Sequence, residues 1–367
     1  MAEARRSVLH DRHVAAGAKF AEFGGWLMPL EYAGGGVLAE HKAVREAVGI
    51  FDVSHLGKVT VVGAGAVAFL NSQLTNDLSR VAAGQAQYTM MCNALGGVVD
   101  DLIAYRINDD EVFCIPNASN AATVAQVLTE AAPPRIQVAN RHPDFAILAV
   151  QGPASDETLA ALGLPVGHAY MSFVNADFEG APLTVCRTGY TGERGYEVVL
   201  ASAAAPTLWD AVLRAGGPLG IRPAGLGARD TLRTEMGYAL HGHELTPGIS
   251  PVEAGLGWAV GWEKAEFPGS EALRAQRAER SGRRSTGLVA VGRGIPRPGM
   301  VVVDDAGEPI GEVTSGTFSP TLRQGIGLAL VDRARQPGER VGVDIRGRIE
   351  PFELRRPPFV QSGVRAG

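Results

Sequence analysis

The chain has 367 residues, a length that predicts two or three domains rather than a single core. With 46% hydrophobic residues, 20% charged residues and a mean hydropathy of +0.04, the composition is typical of a globular protein with a sizeable core. The net charge of -5 argues against nucleic acid or an anionic membrane as the main partner, and no apolar run approaches the roughly 20 residues that span a bilayer.

Taken in chain order, the hydrophobic periodicity predicts helices that alternate with short strands, without a repeat of fixed period. Up to residue 277 the predicted helices cover 37–48, 121–130, 206–215 and 224–235, and the predicted strands cover 58–62, 87–92, 98–106, 112–115, 145–150, 183–187 and 196–200. A polar segment over 278–285 is interpreted as a linker. Short strands follow over 286–291, 300–303, 312–314, 325–330 and 340–345. This spacing predicts a small antiparallel β domain or barrel, and the class is α+β.

A glycine-rich turn over 59–68 resembles the phosphate loop of a dinucleotide-binding fold, with Gly63 and Gly65 after a strand. A true fingerprint requires a second strand that ends in an acidic residue about 20 residues later. The polar segment 71–85 contains no such strand. We therefore interpret the turn as a tight strand-to-helix connection.

The three cysteines are Cys92, Cys114 and Cys186, an odd number with wide spacing and no CxxC pair. Each is expected to be a small buried residue in a reducing compartment. The segment 1–13 contains acidic residues and no apolar stretch, so it predicts neither a signal peptide nor a transit peptide. Bacterial cytoplasm is the expected location.

A β-hairpin is predicted over 87–106, with its turn at Gly96-Gly97. Because side chains alternate along a strand, Asp100 and Asp101 point to opposite faces and are not expected to form an acid/base pair. Asp101 shares its face with Ile103 and Tyr105.

Across the same hairpin, Tyr88 is expected to lie opposite this apolar patch. A carboxylate at Asp101 would then be partly desolvated and would need donors or a cation. The hairpin alone is compatible with a structural aspartate bound to backbone amides and with a functional one.

Two further segments contain charged side chains in apolar surroundings. Glu197 lies on a strand whose two faces are otherwise apolar, so it needs a partner rich in donors, either an arginine or a heterocycle such as a pterin. Arg229 and Arg233 are four residues apart on a predicted helix, which costs stability unless an anion lies between them. That anion is either a carboxylate ligand or a nearby acid such as Asp230, and the helix alone favours the acid.

The segment His241-Gly242-His243-Glu244 contains metal-binding residue types, but no third ligand at a suitable spacing accompanies it. The other histidines are scattered along the chain, and none is placed to activate a nucleophile. We therefore expect neither a metal site nor a covalent nucleophile.

Recognisable motif segments occur in one order over nearly the whole chain, at 51–55, 87–89, 96–103, 187–193, 223–233, 242–245, 251–258, 316–320 and 326–329. Together they resemble the aminomethyltransferase (T-protein) family of the glycine cleavage system. The resemblance implies an α+β, three-domain cloverleaf fold around a cleft for tetrahydrofolate. It divides the chain into a folate-binding region over 1–277, the linker 278–285 and a C-terminal antiparallel β-barrel over 286–361. The folate-binding region would contain two interleaved subdomains, 1–56 with 143–277 and 57–142.

The resemblance also implies the reaction. The aminomethyl group on the lipoyl arm of the H-protein gives its methylene to tetrahydrofolate, the co-substrate, and ammonia is released. No metal is required, the lipoyl group comes from the lipoylated H-protein, and the P- and L-proteins are transient partners. By the same resemblance Asp101 is the catalytic residue near the reacting nitrogens, Glu197 binds the pterin and Arg229 meets the carboxylate end of folate. The other residues implied to line the site are Tyr88, Ile103, Tyr105, Asn117 and Tyr190.

The sequence departs from the family pattern at Leu56, where methionine is expected, and at 360–362, where basic or tyrosine residues are frequent. Related alternatives are a folate-dependent demethylase and a non-enzymatic folate-binding factor for iron–sulfur proteins. That factor has a Lys-Gly-Cys-Tyr-type signature where this chain reads Arg187-Thr188-Gly189-Tyr190, which disfavours it.

Overall fold

The computed structural model describes residues 4–279 and 282–365. Its α-helices are α1 (His10–Ala15), α2 (Gly36–Glu46), α3 (Ala66–Gln73), α4 (Ala121–Ala131), α5 (Ser155–Ala160), α6 (Ala205–Gly216), α7 (Leu226–Met236) and α8 (Ser270–Glu279). Its strands are β1 (Arg5–Arg6), β2 (Lys19–Phe23), β3 (Trp26–Glu31), β4 (Gly49–Asp52), β5 (Val59–Val62), β6 (Gln85–Cys92), β7 (Val98–Asn108), β8 (Glu111–Pro116), β9 (Gln137–Asn140), β10 (Phe145–Gln151), β11 (Phe173–Phe178), β12 (Ala181–Cys186), β13 (Gly195–Ala201), β14 (Arg222–Pro223), β15 (Arg283–Ala290), β16 (Val301–Val303), β17 (Pro309–Ser319), β18 (Gln324–Asp332), β19 (Arg340–Ile345) and β20 (Arg348–Arg355).

One five-stranded sheet has the order β6-β7-β8-β5-β9 and packs against α3 and α4 through a core that includes Leu70, Leu102 and Val124. Strand β5 pairs antiparallel with both of its neighbours, whereas a dinucleotide-binding unit is built on parallel strands. At the start of α3 the amide of Gly65 donates to Asp110 Oδ1 at 2.8 Å. The glycine-rich turn is therefore a strand-to-helix connection. Its Gly65 amide is already bound to a carboxylate of the same chain and not available to a phosphate.

A six-stranded sheet has the order β11-β12-β13-β10-β4-β14. One face packs against helix α6 through a core that contains Leu148, Val198 and Trp209. The opposite face turns toward the five-stranded sheet and helix α7, with Ile147 and Tyr105 in the shared core. The two sheets therefore approach each other face to face next to α7.

The C-terminal strands form a closed barrel in the order β15-β18-β17-β16-β19-β20, filled by an apolar core that includes Leu288, Val331 and Phe352. The predicted α+β class and barrel are confirmed. The last strand, β20, was missed because it contains Pro351 and several charged residues, and its place in the sheet follows from pairing with β15 and β19.

The linker expected over 278–285 needs correction. Helix α8 extends to Glu279 and strand β15 begins at Arg283, where Arg283 pairs with Asp332 of β18. Residues 280 and 281 lie outside the described residues. The segment is polar and has little to bury, which is typical of a linker, but closure of the barrel pairs its C-terminal end with β18.

The distribution of strands supports the proposed domain division. The strands β5 to β9 of the five-stranded sheet all fall within 57–142, while β4 and β10 to β14 belong to the six-stranded sheet. We propose the two interleaved subdomains on this basis, with the barrel as the third unit.

Lys58 generates a prediction about stability. Its side chain is fully buried, its Nζ donates to the carbonyl of Ser54 at 2.6 Å, and burial lowers the pKa of Lys58 to about 7. Because this value lies below the ordinary 10.5, the unfolded state binds more protons between these two pH values, so stability rises as pH increases from 7. Lys58→Met should raise the free energy of unfolding at pH 7 by about 1 kcal/mol or more and remove that rise.

Urea unfolding at pH 7 and pH 9 measures this effect. Lys42→Met is the matched control, since Lys42 is exposed and its Nζ lies 3.6 Å from Glu46 on the same helix. An unchanged pH dependence in Lys58→Met would contradict the assignment.

Candidate active site

A cavity of about 680 Å³ lies where the two sheets, helix α7 and the barrel meet. This volume is within the range of small-molecule sites. Every residue predicted for the site lines this cavity, namely Tyr88, Asp101, Ile103, Tyr105, Asn117, Tyr190, Glu197 and Arg229. The fold thus brings together residues that lie up to 141 positions apart in the chain. Local sequence patterns alone do not predict this proximity.

The hairpin β6–β7 sets the orientation of Asp101. Met90 pairs with Asp101 and Tyr88 pairs with Ile103, so Tyr88 lies diagonally across from the carboxylate as predicted. The turn depends on glycine at position 97, because a Cβ there would lie 1.9 Å from the carbonyl oxygen of Pro247. The turn of the hairpin is therefore packed directly against the backbone at Pro247.

Two side chains hold the Asp101 carboxylate. The hydroxyl of Tyr88 donates to Oδ2 at 2.9 Å and Asn117 Nδ2 donates to Oδ1 at 2.8 Å. Burial raises the pKa of Asp101, while these two hydrogen bonds act in the opposite direction. The Tyr88 ring stacks on Trp258 at 5.5 Å, and Trp258 also lines the cavity. The result is an oriented, poorly solvated carboxylate at the cavity wall.

Asp100 points away from the cavity and is completely buried, which agrees with strand alternation. Its carboxylate accepts hydrogen bonds from the Asn117 amide at 3.0 Å, from Asn117 Nδ2 at 3.0 Å and from Asn120 Nδ2 at 2.7 Å. Burial, and next the charge of Asp101, raise the pKa of Asp100 to about 7.

Asp100 and Asp101 are nevertheless connected through one side chain. They face opposite sides of the sheet, but Asn117 Nδ2 donates to both carboxylates. Asn117 follows β8, a neighbour of β7, so its side chain can reach around the edge of the strand. Asp100 is thus placed to orient Asp101 through a shared amide.

His241 also lines the cavity, although the sequence suggested only a metal role for it. Asn120 Nδ2 donates to His241 Nδ1 at 3.0 Å, which leaves the proton on Nε2, directed at the carbonyl of Val98 at 3.3 Å. Glu244 instead pairs with Arg233, and His243 Nδ1 donates to the carbonyl of Thr314. Among the described residues, no group of three or more His, Cys, Asp or Glu side chains is arranged to hold a metal ion.

On the opposite wall, Glu197 of β13 accepts a hydrogen bond from the hydroxyl of Thr188. The single proton of Thr188 is used in that bond, so the hydroxyl of Tyr105, 3.1 Å from Thr188 Oγ1, must be its donor. Burial raises the pKa of Glu197, and the bond from Thr188 and the charge of Arg229 act against this rise. The bond from Thr188 uses one acceptor position of the Glu197 carboxylate. The remaining acceptor positions are available to a ligand in the cavity.

The two arginines of α7 have different environments. Arg233 is buried and forms salt bridges with Asp230 at 2.7 Å and with Glu244 at 3.1 Å. Arg229 forms no salt bridge within the described part of the chain, and its guanidinium lies over the Tyr190 ring at 4.5 Å. The structural interpretation is thus correct for Arg233, while Arg229 keeps a cation available to the cavity.

The barrel forms a wall of the cavity that the sequence motifs do not identify. Arg284, Arg333 and Arg356 line the cavity, as does Leu56, one of the two departures from the family pattern. In the tail, the other departure, Ser362 Oγ donates to the carbonyl of Gly192. Neighbouring tail residues thus pack on a loop instead of entering the cavity.

Cys92, Cys114 and Cys186 are buried and unpaired, as expected. Burial raises the pKa of both Cys92 and Cys114 to about 12, so neither supplies a thiolate near neutral pH. None of the helices in the described ranges is long and apolar enough to cross a membrane.

Comparisons with known proteins agree with this geometry. The sequence matches the family described as "GCVT N-terminal domain" over residues 9–264 and the one described as "Glycine cleavage T-protein C-terminal barrel domain" over residues 283–361. Aminomethyltransferase of Frankia alni is 61% identical over 365 residues, 100% of both chains, and that of Mycobacterium tuberculosis is 55% identical over 360 residues, 97% of both. The crystal structure of glycine cleavage system aminomethyltransferase T from Bartonella henselae has a TM-score of 0.92 and 35% identity, and the match covers 98% of this chain and 99% of that one.

Two sheets and a barrel surround the cavity, and the relatives named above identify the chain as a folate-dependent transferase. The chain belongs to the glycine cleavage T-protein family, whose members named above are aminomethyltransferases. The resemblance inferred from the sequence motifs is confirmed, and so is the cloverleaf fold.

The arginine pair of α7 gives a matched prediction. Arg233→Met should lower the free energy of unfolding by about 3 kcal/mol, because it leaves Glu244 buried without its cation. Arg229→Met should change stability by less than about 1 kcal/mol, because no salt bridge is lost, yet it should weaken tetrahydrofolate binding at least tenfold. Urea unfolding and calorimetric titration measure the two effects. Equal destabilisation by both substitutions would contradict the division of roles.

Proposed function

We propose that this chain transfers the methylene group of an aminomethyl-lipoyl H-protein to tetrahydrofolate, giving 5,10-methylenetetrahydrofolate and releasing ammonia. Aminomethyl transfer is the activity named for relatives over the full length of the chain. The observation that carries the proposal is that two carboxylates from different sheets line one cavity. Glu197 has acceptor positions left beyond its bond from Thr188, and Asp101 is held by the hydroxyl of Tyr88.

The cavity fits a folate by its chemistry. Glu197 accepts from Thr188 alone among the described residues, so it can accept further N–H donors of the kind that a pterin ring presents. Tyr88, Ile103, Tyr105 and Tyr190 supply an apolar wall beside it. Arg229, which has no salt bridge within the described ranges, can receive a folate carboxylate.

Asp101 acts through its charge. Tyr88 and Asn117 hold the carboxylate in one orientation, and burial keeps water from screening it. Tetrahydrofolate supplies nucleophilic nitrogens when bound, and positive charge develops on the methylene carbon that they attack. An ionised Asp101 beside that carbon lowers the barrier by electrostatic stabilisation.

The partners follow from the reaction. The lipoylated H-protein brings the aminomethyl group, and the P- and L-proteins share that carrier in a transient complex. We place the enzyme in the cytoplasm, since three buried and unpaired cysteines suit a reducing compartment.

The direct test supplies the purified chain with tetrahydrofolate and aminomethylated lipoyl H-protein and follows ammonia and methylenetetrahydrofolate together. Equal amounts of both products are expected. A chain that makes neither, while it removes a methyl group from dimethylglycine or sarcosine in the presence of tetrahydrofolate, would be a demethylase instead.

Substitution of the two aspartates separates their roles. Asp101→Asn should lower kcat at least about 100-fold with less than about a threefold change in the Kd for tetrahydrofolate, because the lost charge acts mainly in the transition state. Asp100→Asn should lower kcat about tenfold, since it disturbs the orientation of Asn117 and Asn120 but leaves the Asp101 carboxylate in place. Because the ionised form of Asp101 is the active one and burial raises its pKa, kcat should fall as pH decreases. An active Asp101→Asn beside an inactive Asp100→Asn would overturn this assignment.

Glu197→Gln tests the pterin contact. The amide keeps the size of the side chain but loses the charge and one acceptor, so the Kd for tetrahydrofolate should rise at least about tenfold. Glu193→Gln is the matched control, because Glu193 pairs with Arg45 at 2.8 Å and does not line the cavity. Unchanged affinity in Glu197→Gln, measured by titration, would remove Glu197 from the site.

A further inference from the structure

His241 lies at one end of a series of hydrogen bonds that leads to Asp101. It lines the cavity and is half-buried, and the proposed transfer step does not use it. Its Nδ1 accepts from Asn120 Nδ2 at 3.0 Å, and the same nitrogen donates to Asp100 Oδ1 at 2.7 Å. Asn117 Nδ2 in turn lies 3.0 Å from Asp100 Oδ1 and 2.8 Å from Asp101 Oδ1. We call the series His241–Asn120–Asp100–Asn117–Asp101 the amide chain.

The side chain of Asn120 is committed to the amide chain. Asn120 directly precedes helix α4, a position where asparagine commonly accepts a hydrogen bond from an amide of the first helical turn. Within the described part of the chain, its side chain makes no such bond. Both hydrogens of its amide nitrogen are instead used by Asp100 and His241, which requires Nδ1 of His241 to be the unprotonated ring nitrogen. A helix cap worth about 1 kcal/mol is thus forgone for these two bonds.

Asn117 is the point at which the amide chain acts on Asp101. Its side-chain nitrogen carries two hydrogens but has three acceptors within reach, because the carbonyl oxygen of Asp101 also lies 3.0 Å away. Asp100 Oδ1 and the Asp101 carboxylate therefore compete for the same hydrogens. When Asn120 donates to Asp100, Asn117 can hold Asp101. Without that donor, the fully buried Asp100 carboxylate draws the Asn117 amide toward itself.

The loop that carries His241 is hydrogen-bonded to the hairpin that carries the two aspartates. His241 Nε2 faces the carbonyl of Val98 at 3.3 Å, and the amide of Val98 donates to the carbonyl of Thr246 at 2.9 Å. The amide of Gly242 donates to the carbonyl of Leu245 at 2.7 Å, which closes the loop. The imidazole is therefore held at both ring nitrogens, with Nδ1 directed at Asn120.

We propose that His241 is a positioning residue for the transfer reaction, which keeps Asn120 on Asp100 and so leaves Asn117 to orient the Asp101 carboxylate. This inference rests on the proposed function, in which Asp101 acts by its charge. His241 acts through Asn120 and only as a hydrogen-bond acceptor. His241→Asn, which offers an oxygen near the place of Nδ1, keeps that acceptor, whereas His241→Leu removes it.

Steady-state kinetics with aminomethylated H-protein, together with titration of tetrahydrofolate, test this role. His241→Leu should lower kcat about tenfold with less than about a threefold change in the Kd for tetrahydrofolate, because the catalytic carboxylate is misoriented while the pterin contacts remain. His241→Asn should keep kcat within about threefold of the wild type. His243→Leu is the matched control, since His243 lies on the same loop, donates to the carbonyl of Thr314 and is not among the described residues that line the cavity. Its kcat should stay within about twofold of the wild type.

A double-mutant cycle separates positioning from a general loss of loop packing. Asn120→Ala alone should lower kcat about tenfold, and His241→Leu added to it should cost less than about a further twofold, because both changes break the same chain. Effects that multiply to about 100-fold would overturn the proposal, since they would be independent. So would a wild-type kcat in His241→Leu, or equal losses in His241→Leu and His241→Asn.

The side-chain amide of Asn117 gives a readout that does not depend on turnover. In NMR spectra of the ¹⁵N-labelled chain, His241→Leu should shift the Asn117 side-chain signals, and His243→Leu should leave them in place. Unshifted Asn117 signals in His241→Leu would overturn this inference alone. Shifted signals in a chain without aminomethyl transfer would leave the amide chain standing and count against the proposed function.

Discussion

Removal of three carboxylates from water is the constraint on which the site depends. Asp100, Asp101 and Glu197 lie at or behind the meeting face of the two sheets, and burial raises the pKa of each. A buried carboxylate without hydrogen-bond donors costs several kcal/mol. The fold must therefore supply donors to each of the three. The donors come from other segments, with Asn117 after β8 and Thr188 after β12. Each sheet therefore supplies the donors for its own carboxylates, and packing of the two sheets brings Asp101 and Glu197 to one cavity.

Much of the fold could be read from the sequence because its patterns are local. The hairpin β6–β7, helix α7 and most barrel strands follow from alternation, periodicity and glycine at turns. Strand β20 and the start of β15 could not be read this way, because pairing with distant strands outweighs their polar composition. The same limit applies to Arg233, whose burial depends on Glu244 and on Ser315 of the barrel.

The candidate site was predictable where the residue is singled out by its surroundings or by a family motif. Asp101 and Glu197 are acids in apolar strands, and each indeed lines the cavity. The link between Asp100 and Asp101 could not be predicted, since it depends on an asparagine of a neighbouring strand end. Nor could the contribution of Arg284, Arg333 and Arg356 be predicted, because the sequence does not show which arginines of the barrel line the cavity. Local chemistry identifies candidates, and tertiary contacts decide their roles.

The central claim is that the cavity binds folate between Glu197 and Asp101. A crystal structure of the chain with bound tetrahydrofolate tests it most directly. In that structure the pterin N–H groups should donate to the Glu197 carboxylate, and the reacting nitrogens should lie beside Asp101. A folate whose pterin lies elsewhere, with Glu197 still bound only to Thr188, would contradict it.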